Sequence, residues 1–459
     1  MPKGEPEERA KAARIERVFA VPVNKRPLPD LATSATLSAV LEYAFNANGE
    51  IEAAYREWRA AIERVPQAGA LPNTRLDFSY LFDPKNMKSF GSALGGIRLM
   101  VTQEIPGRGK RDARAELALN EAQTAGERFR AAKYRLEKQV VQAYAEVALN
   151  KALLKQTSET LRLLRGAHEV AIHRFHAMNE KGAAGDLSDL RKIEVEIQTG
   201  ESEQRSLQIA RSKLIAELND LLNRTPDAVL GKIALPPIQR QAASDADLFA
   251  RAVRTNPELA AVRKDVEARG AARVLAELEK RPDYSIGGGI EDLSPLLSVG
   301  ISLPLNRARI RAGIAEALAM RQAAEARLRA ASSDVQARVV MALAGIRDAE
   351  RVLTDYGERI VPKTQELLQT QITTYGSGGG DILDILDTER LLVDFHKLIL
   401  QAEASRLRFL AELEEVVGDD LFNFIPQGEE KGSMSEFQRG EDIAVGTSGG
   451  TDSAAIPKG

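Results

Sequence analysis

Asp384 and Asp387 lie three positions apart in the segment Gly380-Asp381-Ile382-Leu383-Asp384-Ile385-Leu386-Asp387. On a helix that spacing is about one turn and puts both carboxylates on one face. Such a pair can attract cations; a solvated first helical turn, where Asp favours the dipole, is the competing reading. Asp381 and its counterpart Asp186 are better read as helix N-caps. Three of the four histidines also gather, at His168, His173 and His176. His173 and His176 share a helix face near Glu169 and Glu180, which suits at most a weak metal site, and polar surface near a helix end explains them more simply. The glycines Gly376, Gly378, Gly379 and Gly380 lack the lysine and the strand-before, helix-after context of a phosphate loop. They instead let two helices reverse closely, and Gly182 and Gly185 would do the same earlier in the chain. No Ser/His/Asp pattern, HExxH motif or hydrolytic carboxylate pair stands out, so neither an enzyme nor a cofactor is expected.

Composition narrows the choice. The chain has 459 residues, a length that first suggests three ordinary domains, yet only 5% are aromatic and 28% are charged. That balance suits long helices better than large cores. A net charge of −3 gives no broad basic surface, so nucleic acid is not an expected partner. The absence of cysteine removes disulfides, thiolate metal sites, a Cys nucleophile and an N-terminal lipid on Cys. Met1 to Glu8 is charged and has no apolar core, so it does not read as a signal peptide. No uncharged run exceeds 14 residues, and one of that length, Leu293 to Asn306, holds two prolines, so no transmembrane helix is expected.

The elements that must position these residues occur twice. Phe129, Leu136, Val140, Tyr144, Val147, Leu154 and Leu161 form an apolar stripe, and adding 199 to each number gives Leu328, Val335, Val339, Leu343, Ile346, Leu353 and Ile360. Asn48 and Ile51 match Asn256 and Leu259, Gly185 to Asp189 match Gly380 to Asp384, and Ala216-Glu217-Leu218 match Ala411-Glu412-Leu413. The expected organisation is a flexible segment 1–32, a first repeat 33–230, a linker 231–246, a second repeat 247–418 and a disordered tail 419–459. Each repeat holds a helix (from Thr36 to about Val65, and from Asp247 to about Leu278), a hairpin (73–106 and 282–305), a long helix (108–178 and 308–373) and a final helix (187–222 and 382–417). A helix of about 70 residues is about 105 Å long and cannot fold back into a compact domain. Its steps of 3, 4 and 7 give a coiled-coil seam, and Pro362 should bend or loosen the second long helix.

The hairpins follow another period. Thr74, Leu76, Phe78, Tyr80 and Phe82 alternate with Arg75, Asp77 and Ser79. Ile97, Leu99, Val101 and Ile105 alternate with Arg98, Met100, Thr102 and Glu104. In the second copy Tyr284, Ile286 and Ile290, and Leu297 through Leu305, alternate with serines and glycines. Period 2 is strand behaviour, and about 9 to 10 residues tilted can cross a bilayer. Four strands do not close a barrel, and open edges do not survive in lipid, so a membrane reading requires several chains to complete one barrel. A soluble sheet packed on helices is the alternative. Basic residues follow strands in both copies: Arg108, Lys110, Arg111 and Arg114, then Arg307, Arg309 and Arg311. They suit lipid headgroups and ordinary helix-surface charge almost equally.

Tyr375-Gly376-Ser377-Gly378-Gly379-Gly380-Asp381-Ile382-Leu383-Asp384 resembles the helix-turn-helix tip of TolC-type outer-membrane efflux proteins. Pro72, Gln103-Glu104-Ile105-Pro106-Gly107, Leu303-Pro304 and Asn256-Pro257-Glu258-Leu259 also look like landmarks of that family. The resemblance covers about 33–418, with the doubled layout intact. It departs at Gly380, where some members carry a latch arginine, at the first tip, Glu180 to Asp186, and in lacking the lipid-bearing cysteine.

The resemblance implies a mainly α fold with a small β part. A two-fold internal repeat would build a long α-helical barrel in the periplasm, and each of three chains would give four strands to a twelve-stranded transmembrane barrel. It implies a homotrimeric outer-membrane exit duct for small molecules or metal ions, held in outer membrane lipid. A periplasmic adaptor would couple it to an inner-membrane transporter. Asp384 and Asp387 would then form stacked carboxylate rings at an iris-like aperture, with Tyr375 bonding across it, and the tip glycines would contact the adaptor. The segment Gln103 to Lys110 looks like the heavy-metal branch. The alternatives are a type I secretion duct within the family and a soluble coiled-coil scaffold outside it.

Overall fold

The computed structural model describes residues 2, 4–80, 97–180, 187–236, 244–291, 294–376, 379 and 382–422. The first repeat runs α2 (Leu37–Ala47), α3 (Gly49–Gly69), β1 (Arg75–Tyr80), β2 (Ile97–Ile105), α4 (Lys110–Glu180) and α5 (Leu187–Leu221), preceded by α1 (Glu5–Phe19). The second runs α6 (Asp245–Thr255), α7 (Pro257–Leu278), β3 (Asp283–Glu291), β4 (Ser294–Ser302), α8 (Arg307–Val352), a π-helical segment Leu353–Ile360, α9 (Val361–Gly376) and α10 (Ile382–Val417). The same order of elements therefore appears twice. Residues divide into two units, one of 1–17, 53–130 and 257–333, the other of 18–52, 131–256 and 334–459.

In the first unit the core is aromatic at one point and alanine-rich elsewhere. Trp58 stacks on Phe129 at 5.7 Å between ring centroids, and Tyr55 meets both rings edge-on. A Cβ on Gly126 would lie 2.9 Å from Trp58 Nε1, so the indole needs glycine there. Ala115, Ala118 and Ala122 on α4 are buried, which allows close helix approach. The segment before residue 33, expected to be flexible, instead carries α1. Ala12 is fully buried, the Tyr55 hydroxyl donates to the Ala12 carbonyl at 3.2 Å, and Arg9 grips Glu63 with two hydrogen bonds of 2.8 and 3.0 Å.

In the second unit each repeat's opening helix breaks at an asparagine, where the sequence suggested one continuous helix. Asn48 separates α2 from α3, and its Oδ1 accepts from the Glu50 and Ile51 amides at 2.9 and 3.1 Å. Its Nδ2 donates to the Leu221 carbonyl at the end of α5, at 2.9 Å. Asn256 separates α6 from α7, and its Nδ2 donates to the Val416 carbonyl near the end of α10, at 2.7 Å. Both asparagines are buried, so each satisfies terminal carbonyls that water cannot reach. Thr36 and Ser244 cap α2 and α6 through their side-chain oxygens. The stretch 231–236, expected to be part of a linker, is pinned: Gly231 donates to Leu31, and the Ile233 and Ala234 carbonyls accept from Lys151 and Tyr144.

Pro362 acts earlier in the chain than a simple kink would. Without an N–H it cannot complete the α ladder, and the eight residues 353–360 adopt the wider π form, in which Val361 N–H reaches Tyr356 O. Strand β4 ends at Ser302, short of Leu305, because Pro304 and the i to i+2 bonds at Leu303 and Leu305 turn the chain into α8.

Candidate membrane-facing sheet and candidate aperture

The four strands form one antiparallel sheet in the order β1-β2-β3-β4. Register brings one side-chain row into line across it: Phe78 opposite Leu99 opposite Ile290 opposite Pro295, and Leu76 opposite Val101 opposite Gly288 opposite Leu297. Ile105, Tyr284 and Ile301 align in a third row. These large side chains are exposed, with Phe78 at 69%, Val299 at 72% and Leu297 at 76%. Soluble sheets bury such a face; here the described residues leave it uncovered, with Gln103, opposite Ile286 and in line with Val299, as a polar interruption.

The opposite face is mostly polar or small, with Met100 and Leu296 flanking Gly289 as its large apolar side chains. Arg75, Thr102, Gly287 and Ser298 align on it, as do Glu104, Ser285 and Gly300. A Cβ on Gly289 would fall 2.1 Å from Leu99 O, and one on Gly300 would fall 2.5 Å from Ser285 Oγ. Glycine is therefore required for the strands to approach on this side. Within the sheet as described, the outer edges of β1 and β4 have no strand partner.

The turn from β2 to α4 is a junction that the sequence did not reveal. Gly107 N–H donates to Asp283 Oδ1 at 2.7 Å, and Lys110 Nζ reaches Asp283 Oδ2 at 3.0 Å and Glu279 Oε2 at 3.5 Å. Lys110 is 1% exposed. Two of the four residues of the first basic cluster are engaged within the chain: Lys110 is spent on an internal ion pair, and Arg111 donates twice to the Gly69 carbonyl. The partner Asp283 lies 173 positions away, so spacing gave no signal. Gln103, read with the heavy-metal-like segment, is also used locally, accepting from Thr74 and donating to Pro72 O.

Asp384 and Asp387 are both exposed at the start of α10, one turn apart, with Asp384 in the first turn. Thr388 Oγ1 donates back to Asp384 O at 2.8 Å and is buried, so this helical face is fixed while the carboxylates stay open. Tyr375 is half-buried near the end of α9, and Gly376 is its last residue. Gly379 N–H closes the helix end on Thr374 O at 3.1 Å. Gly182, Gly185, Gly378, Gly380 and the cap candidates Asp186 and Asp381 lie outside the described residues. His173 and His176 are exposed, and His168 Nε2 sits 3.6 Å from Glu194 Oε1. Among the described residues no three acidic or histidine side chains gather as metal ligands, and no helix is long and apolar enough to cross a membrane.

Two glutamates near the end of α10 were also missed. Glu415 is buried and receives Lys138 from α4 at 2.9 Å and Arg338 from α8. Glu414 is buried, and desolvation, reinforced by the charges of Glu137 and Asp420, holds its carboxyl well above the usual carboxylate range. Its Oε1 accepts from the Leu421 amide at 2.9 Å.

Residues 248–419 match the family described as outer membrane efflux protein. No curated protein matches the sequence. Among solved structures, the chain is similar to a membrane protein from Pseudomonas aeruginosa, with 19% identity, a TM-score of 0.71, and coverage of 84% of this chain and 91% of that one. It is similar to the outer membrane protein VceC of Vibrio cholerae, with 17% identity, a TM-score of 0.68, and coverage of 83% and 96%. It is also similar to the open state of the MtrE outer membrane channel of Neisseria gonorrhoeae, with 16% identity, a TM-score of 0.68, and coverage of 87% and 95%. At these identities the likeness fixes the fold: mainly helical, doubled, with a four-stranded antiparallel sheet.

Proposed function

We propose that the chain is a TolC-type outer membrane efflux protein, a reading supported by the family match over residues 248–419, and that it is the outer-membrane exit duct of a tripartite efflux system. The carrying observation is the sheet, with one largely apolar exposed face, an opposite face mostly of serine, threonine, glycine and charged residues, and two open edges among the described residues. In lipid an open edge leaves backbone groups unsatisfied, and closing the sheet with two further copies removes every edge. The polar face then lines water, and the helices continue the conduit through the periplasm. The duct exports small molecules or metal ions passively. A periplasmic adaptor, contacted at Gly182, Gly185, Gly376, Gly378, Gly379 and Gly380, couples it to an inner-membrane transporter.

At the aperture, three copies of Asp384 and Asp387 make two carboxylate rings that concentrate cations and repel one another. Tyr375 sits one reversal away and steadies the closed form. Conductance across a planar bilayer tests this. Asp384→Asn with Asp387→Asn should weaken block by multivalent cations at least tenfold; unchanged block would remove these residues from the aperture.

A further inference from the structure

We propose that the boundary between β4 and α8 is a headgroup site for anionic phospholipid, formed by Arg307, Arg309 and Arg311 next to the exposed leucines Leu303 and Leu305. The inference rests on the membrane reading of the sheet and adds to it a lipid class and a residue set.

The apolar row of β4 does not stop where the strand does. Leu297, Val299 and Ile301 are 76%, 72% and 59% exposed, and Leu303 and Leu305 beyond the strand are 60% and 81% exposed. Two residues later the cations begin, and all three arginines are exposed. Their side chains have no ion-pair partner among the described residues; Arg311 Nε makes one long contact, 3.4 Å, to the Arg307 carbonyl. The sequence supplies no neutralising acid, since no Asp or Glu occurs between Asp292 and Glu316. Arg307 and Arg311 are one helical turn apart and share a face.

An apolar strip ending in a cluster of uncompensated guanidinium groups is complementary to one molecule with acyl chains and a net negative head. A zwitterionic head brings no net charge and leaves the cluster uncompensated, whereas a phosphodiester without a second cation neutralises it, and guanidinium forks bind phosphate oxygens in pairs. At the β2–α4 turn, by contrast, Lys110 and Arg111 are already engaged within the chain. On the membrane reading, α8 leaves toward the periplasm, so the lipid belongs to the inner leaflet.

The test uses the full chain in nanodiscs of pure phosphatidylcholine and of phosphatidylcholine mixed with phosphatidylglycerol. Native mass spectrometry then reads which lipid is retained. Wild type should retain phosphatidylglycerol preferentially, and the preference should fall as salt rises and the Debye length shrinks from about 30 Å to about 3 Å. The triple variant R307Q/R309Q/R311Q should insert equally well and lose the preference by on the order of tenfold to a hundredfold. Arg111→Gln should keep it. Equal retention by wild type and the triple variant, or a preference indifferent to salt, would overturn the inference and leave the membrane reading standing. Failure of wild type to insert even in phosphatidylcholine would overturn the membrane reading and the inference together.

Discussion

After β2 the chain turns into α4 through Gly107 and Gly109, with Lys110 sunk against Asp283. After β4 it turns into α8 through Pro304 and Asn306, with Arg307, Arg309 and Arg311 all exposed. The two junctions hold the same place in the two repeats, and both follow a strand with basic residues. In the first, the lysine's charge is consumed by folding. In the second, the fold gains little from the charge, which is how a binding surface differs from a structural ion pair. The ends of the repeats differ in a parallel way. Asn219 and Glu414 occupy matching positions, one neutral and one acidic, and both are buried. Asn219 donates to the Pro226 and Ala228 carbonyls, while Glu414 accepts from the Leu421 amide.

The contrast can be broken by substitution, and the first junction should give the largest effects. Gly107→Ala places a Cβ 2.5 Å from the Pro282 carbonyl, a backbone atom that cannot rotate away. It should cost about 3 kcal/mol, seen as a lowered melting temperature in detergent. Asn48→Ala and Asn256→Ala should each cost about 2 kcal/mol, because buried helix-end carbonyls lose their donor. Asn48 in addition accepts from the Glu50 and Ile51 amides at the start of α3. Lys110→Met should cost about 1–2 kcal/mol, less than a fully buried pair, because the Asp283 side chain is 42% exposed. Arg309→Gln should change stability by under about 0.5 kcal/mol. A cost at Arg309 equal to that at Lys110 would erase the distinction between the junctions.

The neutral and acidic ends should differ in their response to pH. Glu414 has a folded pKa above its ordinary value of 4.5. Below that value both states hold the proton and the group is neutral to stability. As pH rises past it, the unfolded chain ionises while the native carboxyl resists, so stability falls until the raised native pKa is passed. Glu414→Gln keeps an acceptor for Leu421 and should flatten this decline, measured as melting temperature against pH from acid to neutral. Asn219→Ala should lower stability by a similar amount at every pH. A decline of the same slope in the Glu414→Gln variant would assign it to another group.

What the sequence made legible follows from periodicity. The strands stood out because Leu76, Phe78, Leu99, Val101, Leu297 and Val299 keep period 2 with nothing packed on them. The long helices and the doubling were legible from the repeated stripe, in which Val140 and Val339 are both fully buried. The breaks at Asn48 and Asn256 were visible as matched landmarks, but not as breaks, because their partners Leu221 and Val416 are far along the chain. Lys110 was misjudged for the same reason: a buried lysine is recognisable only with its carboxylate in view. α1 was hidden because its burial rests on a few residues such as Ala12 and Phe19 within a charged stretch. Asp384 and Asp387 were legible as one turn of a helix, and both are exposed near the start of α10.

The central claim is that the open edges of β1 and β4 close on other copies. The chain has no cysteine, so disulfide trapping has no background. Asp77→Cys on β1 would be combined in turn with Ser294→Cys, Ser298→Cys and Ser302→Cys on β4, and the protein oxidised in membranes and run on a denaturing gel without reductant. The account predicts that at least one pair gives a ladder ending at three chains, which reductant collapses to one. Single-chain bands for every pair, from protein that remains folded, would contradict it.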